Sequence, residues 1–207
     1  ISVNVTIIFS VKRYQEVLEA FIAGLEERAL KSLPVKDIHS VASFFISRVD
    51  TEIDARLKAI ENPTAGTLLG RSAIAYAHLA YEHFESVLSS ARWKSLEELG
   101  ASIQRPLWAS TGVKDPAYDE TQYVMELIAP LTVNTMPEPT LMAVRDKGIF
   151  RGNTISGNYA SARSIIASLA DHAIDIEEVA EKLEREGIDK FIKPWLELIA
   201  AVEVAAH

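Results

Sequence analysis

The chain has 207 residues, 48% hydrophobic and 24% charged, with a formal net charge of -8 and no cysteine. This fits one globular domain with a sizeable core, and it supplies no basic field for a phosphate backbone, which argues against nucleic acid as a partner. A disulfide framework, a thiolate metal site and a cysteine nucleophile are excluded, and no apolar run reaches the ~18–20 residues that cross a bilayer, so a soluble cytoplasmic protein with no membrane partner is expected.

The chain opens on a strand. In "VNVTIIF" the period of 2 sends Asn4, Thr6 and Ile8 to one face and Val3, Val5, Ile7 and Phe9 to the other. The period then changes to about 3.6. Val11, Tyr14, Leu18, Ile22 and Leu25 form the stripe of a helix that ends before Pro34. "IHSVASFFISR" is a second buried strand, and "DTEIDARLKAI" a short helix with Asp50 placed to cap its N-terminus. "NPTAG" breaks that helix, a long stripe runs from Leu68 to Leu88, and a shorter piece carries Trp93, Leu96 and Leu99. "QRPLWAS" is the third strand, "DETQYVMELI" a helix and "TVNTM" the fourth strand. Three helices follow, over 140–147, 159–170 and 176–201, the last with a break expected near Gly187.

Strands alternating with helices predict parallel βαβ units in an α/β fold. A doubly wound sheet and part of a (β/α)8 barrel both satisfy that order. The polar residues favour the barrel: Asn4, Thr6, Ser43 and Ser110 lie along strands or at their C-terminal ends, with Arg48 and Lys114 just beyond, where barrels build their sites. No dinucleotide fingerprint opens the first helix. Four units are half of a barrel, which usually needs about 250 residues, and a half would leave two unpaired edges and an uncovered inner face. Residues 1–207 are therefore expected to be one partial (β/α)8 domain, a piece of a longer protein. The strand at residue 1 and the absent initiator Met are consistent with that expectation.

"VNVTIIFSV", "SVASFFISRVDTEID", "QRPLWASTGVKDPAY", "TVNTMPEPTL" and "GIDKF", in this order and spacing, resemble the C-terminal half of bacterial transaldolases of the longer type. The resemblance implies strands 5 to 8 of the barrel with their helices and a C-terminal helical extension. It also implies a pentose phosphate pathway enzyme that moves a dihydroxyacetone unit between sugar phosphates through a lysine Schiff base, with no metal and no cofactor. On that resemblance Asn4 is expected to hydrogen-bond the three-carbon unit, and Thr6 to hold a proton-relay water. Ser43 and Phe45 are expected to contact and wall the substrate. Arg48, a fixed fork of donors, is expected to take the phosphate, with Ser110 and Lys114 completing that site. Shorter transaldolases place an arginine near Lys114, so "STGVK" departs from their pattern. The imine-forming lysine and its acidic partners belong to earlier strands, so this chain alone is expected to be inactive, with the N-terminal half of the barrel, or a second copy, as its partner.

Other readings compete. A non-catalytic half-barrel could pair its open edges with a second copy. Lys114 could itself form the imine, although it stands in a polar loop beside Asp115 whereas the chemistry calls for a desolvated amine. Arg48 could merely pair with Asp50, Glu52 or Asp54. "NVT" matches a glycosylation sequon, which a buried strand does not offer. "GNTISGNYAS" lacks the Lys-Ser/Thr step of a phosphate loop and reads as a turn. His78 and His83, about 140° apart around a helix, are poorly spaced for a metal.

Overall fold

The computed structural model describes residues 2–205. Four parallel strands form one sheet in the order β1 (Val3–Ile8), β2 (Ser40–Phe45), β3 (Arg105–Ala109) and β4 (Val133–Asn134). Chain order equals spatial order, so the sheet has no reversal of strand order of the kind that marks a doubly wound fold. The fold is α/β, consistent with half of a barrel. Among the described residues the outer edges of β1 and β4 carry no neighbouring strand.

The helices are α1 (Val11–Leu30), α2 (Ser47–Lys58), α3 (Ser72–Ser89), α4 (Ala91–Glu98), α5 (Gln122–Met125), α6 (Glu138–Lys147), α7 (Tyr159–Asp171) and α8 (Ile176–Ala205), with a 3-10 turn at Ala65–Leu68. Ser10 caps α1 through its side chain, which accepts from the Arg13 N–H at 2.9 Å. The tyrosine and leucines predicted for the α1 stripe are buried against the sheet. The helix-facing side of the strands supplies the centre of the core. There Phe44, fully buried, meets Tyr14, Tyr76 and Trp108 edge-on at centroid separations of 6.4, 5.9 and 6.2 Å.

Several expectations need correction. Ile8 does not share a face with Asn4 and Thr6. The pairing of β1 with β2 slips between Val5 and Ile8, so Val5 faces Ala42 and Ile8 faces Phe44, with Ile7 in the left-handed region at φ 61°. This bulge turns Ile8 into the helix-side core, and it stores strain, because a β-branched residue rarely adopts that conformation. Helix α5 has four residues and β4 two, shorter than the patterns suggested. Leu68 belongs to the 3-10 turn and not to α3.

Helix α8 does not break at Gly187. A Cβ on Gly187 would stand 2.8 Å from Ile7 Cγ2 and 3.5 Å from Phe9 Cε2, so this glycine marks where α8 crosses the bulged end of β1. Before the crossing α8 is anchored: Val179, Ala180 and Leu183 are buried, Glu184 accepts from Arg13 at 3.2 Å, and Lys182 reaches Glu52 at 2.8 Å. Beyond it, Ile188, Phe191, Ile192, Trp195, Leu198 and Val202 are exposed. No described helix is long and apolar enough to cross a membrane.

Candidate active site

The two faces of the sheet differ. On the side away from the packed helices, Asn4 and Thr6 are exposed, Val41 and Phe45 half-buried, and Ser43 and Leu107 buried. The face is thus open at β1 and covered toward β3. Asn4 pairs in register with Val41, so its side chain lies on the same side as that of Ser43, and the Ser43 hydroxyl donates to Asn4 Oδ1 at 2.7 Å. With its oxygen engaged by Ser43, the exposed amide of Asn4 presents its NH2 donors outward. Thr6 makes no side-chain hydrogen bond among the described residues.

At the C-terminal ends of the strands the polar residues gather. Phe45, the last residue of β2, packs against Phe9 at 5.2 Å between centroids, and the Arg48 guanidinium carbon lies 5.8 Å from the centre of the Phe45 ring. Arg48 is half-buried and makes no ion pair among the described residues. Its three acidic neighbours are engaged elsewhere. Glu52 accepts from Arg56 at 3.0 Å and Lys182 at 2.8 Å, Asp50 accepts from Tyr123 at 2.8 Å, and Asp54 accepts from Tyr118 at 2.7 Å. A guanidinium over an aromatic ring, with its donors uncommitted among the described residues, is prepared for an anion.

Ser110, just past β3, adopts φ 56°. Its hydroxyl lies 2.9 Å from that of Ser47 in the first turn of α2, and its carbonyl accepts from the Ser47 N–H at 2.9 Å. The strand ends β2 and β3 are thereby tied together. Lys114 is exposed and borders a 380 Å³ cavity shared with Thr51, Asp54, Lys58 and Tyr118. No hydrogen bond or ion pair joins it to Arg48 or Ser110 among the described residues. The structure therefore brings together Asn4 with Ser43, Phe45 with Arg48, and Ser110 with Ser47. Thr6 and Lys114 stand apart from these pairs.

The residue types and their placement on an open barrel-like face call for comparison with known proteins. The model of the transaldolase/fructose-6-phosphate aldolase family matches residues 1–202. The chain belongs to that family. It is 53% identical over 209 residues to a transaldolase of Thermobifida fusca, an alignment covering 100% of this chain and 57% of that protein. It is 54% identical over 207 residues to a transaldolase of Renibacterium salmoninarum (100% of this chain, 55% of that protein), and 54% identical over 202 residues to transaldolase 1 of Streptomyces coelicolor (98% and 53%). The chain thus spans about half the length of these transaldolases. The resemblance read from the five motifs is that of the family.

Two carboxylates in this region do something the motif reading did not assign. Asp50 does not cap α2; the residue at that N-terminus is Ile46, which makes no side-chain cap. Asp50 is instead 1% exposed and accepts from the Ala73 N–H at 2.7 Å as well as from Tyr123. Burial pushes its carboxyl up to about 7 against the pull of the two donated hydrogen bonds. Asp54, also buried, accepts from the Gly70 N–H at 3.1 Å, and burial raises it too. The signal was in the sequence. Positions 46, 49, 50, 53, 54 and 57 follow the spacing of an apolar stripe, and the two aspartates occupy it beside Ile46, Val49, Ile53 and Leu57.

Proposed function

We propose that the protein to which this chain belongs is a transaldolase that transfers a dihydroxyacetone unit from a ketose phosphate such as sedoheptulose 7-phosphate to glyceraldehyde 3-phosphate. The products are erythrose 4-phosphate and fructose 6-phosphate, a step of the pentose phosphate pathway carried out in the cytoplasm. The observation that carries this reading, in a chain of this family, is the Asn4–Ser43 pair on the open face and, past the C-terminal end of β2, an Arg48 that lies over the Phe45 ring with no ion pair among the described residues.

In this reading a lysine amine from an upstream half of the barrel attacks the ketose carbonyl and water leaves. The protonated imine then takes the electron pair of the adjacent carbon-carbon bond as the aldose phosphate departs. The resulting enamine adds to the acceptor aldehyde, and hydrolysis frees the lysine. This chain contributes binding and orientation. Asn4 donates to a hydroxyl of the three-carbon unit, Ser43 holds Asn4 in place, and Phe45 walls the site. Thr6 holds the water that relays protons, Arg48 receives the terminal phosphate, and Ser110 and Lys114 assist it.

The partner in this reading is the upstream half. Besides the bare edge of β1, a 550 Å³ apolar groove lined by Ile7, Phe191, Ile192, Trp195 and Leu198 lies next to that edge. Exposed apolar surface of this kind calls for a covering element, and this chain covers only 57% and 55% of the Thermobifida fusca and Renibacterium salmoninarum relatives.

The test combines this chain with the upstream half of the Thermobifida fusca relative and treats the mixture with fructose 6-phosphate and borohydride. The reading expects covalent trapping on the upstream half, and only when this chain is present. Labelling of this chain by itself would move the imine to Lys114 and overturn it. Size-exclusion chromatography reports the partner: a one-to-one complex of the halves is expected, while a dimer of this chain that ignores the upstream half would favour the self-associating, non-catalytic alternative.

A further inference from the structure

One face of α2 is zipped along the segment that follows β3. Asp50, Asp54 and Lys58 recur every four residues and so line one side of the helix. Each holds one residue of that segment: Asp50 Oδ2 accepts from the Tyr123 hydroxyl at 2.8 Å, Asp54 Oδ2 accepts from the Tyr118 hydroxyl at 2.7 Å, and Lys58 Nζ donates to Asp115 Oδ2 at 2.7 Å. The second oxygen of each aspartate binds a backbone N–H at the entry to α3, that of Ala73 or Gly70. Each oxygen of both carboxylates thus accepts one of these hydrogen bonds, in a repeated arrangement that joins three parts of the chain.

The fit is close. Gly70 sits at φ 68°, and a Cβ there would lie 2.9 Å from Tyr118 Cζ, so the tyrosine ring rests on bare backbone. The segment itself begins at Ser110, which is bound to Ser47 in the first turn of the same helix. It therefore leaves the Ser47 end of α2, reaches Lys58 at the other end through Asp115, and returns past Asp54 to Asp50. The same helix carries Arg48 in its first turn.

We propose that Asp50 and Asp54 are positioning residues which, through Tyr123 and Tyr118, hold the 110–123 segment along α2 and so fix Ser110 relative to the anion that Arg48 receives. The proposal rests on the phosphate-binding reading of Arg48. Neither aspartate touches substrate; each acts through its tyrosine. Holding the segment beforehand removes the ordering cost that a loose loop would charge against ligand affinity.

The 207-residue chain contains every group involved, so the test uses it directly, with Tyr118→Phe and Tyr123→Phe, which delete one hydroxyl each and keep the rings. Amide hydrogen exchange in 110–123 is expected to rise about tenfold in either variant, the loss of one hydrogen bond to a buried acid, with β1 and β2 unchanged. Binding of inorganic phosphate, followed by 31P NMR, is expected to weaken about fivefold. Unchanged exchange in 110–123, or a rise spread evenly over the chain, overturns the clasp, and so does undiminished phosphate binding by a loosened variant. Arg48→Ala separates the two ideas. If it binds phosphate as wild type does, the reading of Arg48 fails and with it the link to the anion, while the exchange result still decides whether the aspartates order the segment.

Discussion

The same four strands present two unlike faces, and the contrast explains how labour is divided in this chain. Against the helices, Ile8, Ala42, Phe44 and Trp108 are buried, the rings meet edge-on, and the one polar contact of Trp108, from its indole N–H to the Leu127 carbonyl at 3.0 Å, is satisfied. On the other face an amide and a hydroxyl stand open at β1, and a cation lies on a half-buried ring. Apolar burial on the first face holds the structure together. The second contributes little to stability and keeps polar groups where a ligand can meet them. Two of the six non-glycine residues with positive φ among the described residues, Ile7 and Ser110, stand near strand ends beside the candidate site.

Adjacent phenylalanines give the largest test of that contrast. Phe44→Ala removes a fully buried ring in contact with three aromatic neighbours and is expected to cost about 3–5 kcal/mol, enough to unfold much of a marginal domain. Phe45→Ala, one residue on but facing the open side, is expected to cost about 1–2 kcal/mol, part of a ring burial and its pairing with Phe9. Urea unfolding of both variants checks this. Equal losses would mean that the two faces are equally load-carrying.

The sequence resolved this contrast only in part, and the reasons are local. Period 2 was enough to set Asn4 and Thr6 apart from Val5, because alternation survives as far as the bulge. It misplaced Ile8, because alternation carries no sign of the bulge, which leaves Ile7 against Gly187, 180 residues further along the chain. The helices with long stripes were legible. β4 was legible in place, inside "TVNTM", but not in length, since its two paired residues are defined by β3 rather than by their own pattern. Only the motif resemblance, not periodicity, singles out Arg48, Ser43 and Phe45; Asp50 reads as a helix cap and Asp50 and Asp54 as partners of Arg48, although their stripe positions mark them as buried.

Those aspartates sharpen the comparison through pH, an intermediate effect. Asp50 has its folded-state value raised to about 7 from an ordinary 3.8, chiefly by burial. Its protonated form is therefore favoured by folding, and the stability it contributes is fully present below about pH 4 and is lost as pH rises through about 7. The nearby Asp54 carboxylate acts in the same direction. Thermal unfolding of the chain is expected to show a midpoint that falls between about pH 4 and about pH 7, and Asp50→Asn to flatten that fall. A wild-type midpoint that rises over this range would show that the tyrosine and backbone donors outweigh burial.

The smallest expected effect on stability is the most telling about the open face. Ser43 is buried and donates to Asn4, yet Asn4 is itself exposed, so its oxygen can turn to water when the serine hydroxyl is removed. Ser43→Ala should therefore cost no more than about 1 kcal/mol, the low end for a lost hydrogen bond whose acceptor stays hydrated. What it removes is orientation: without that bond the Asn4 amide is free to rotate, and its donors no longer point one way. If the open face exists to bind, the change should appear in trapping of the ketose by the combined halves, with several-fold less imine at a fixed substrate concentration and an unfolding midpoint close to wild type. A loss of stability above about 2 kcal/mol would instead place the Asn4–Ser43 pair with the buried polar groups that hold a core together.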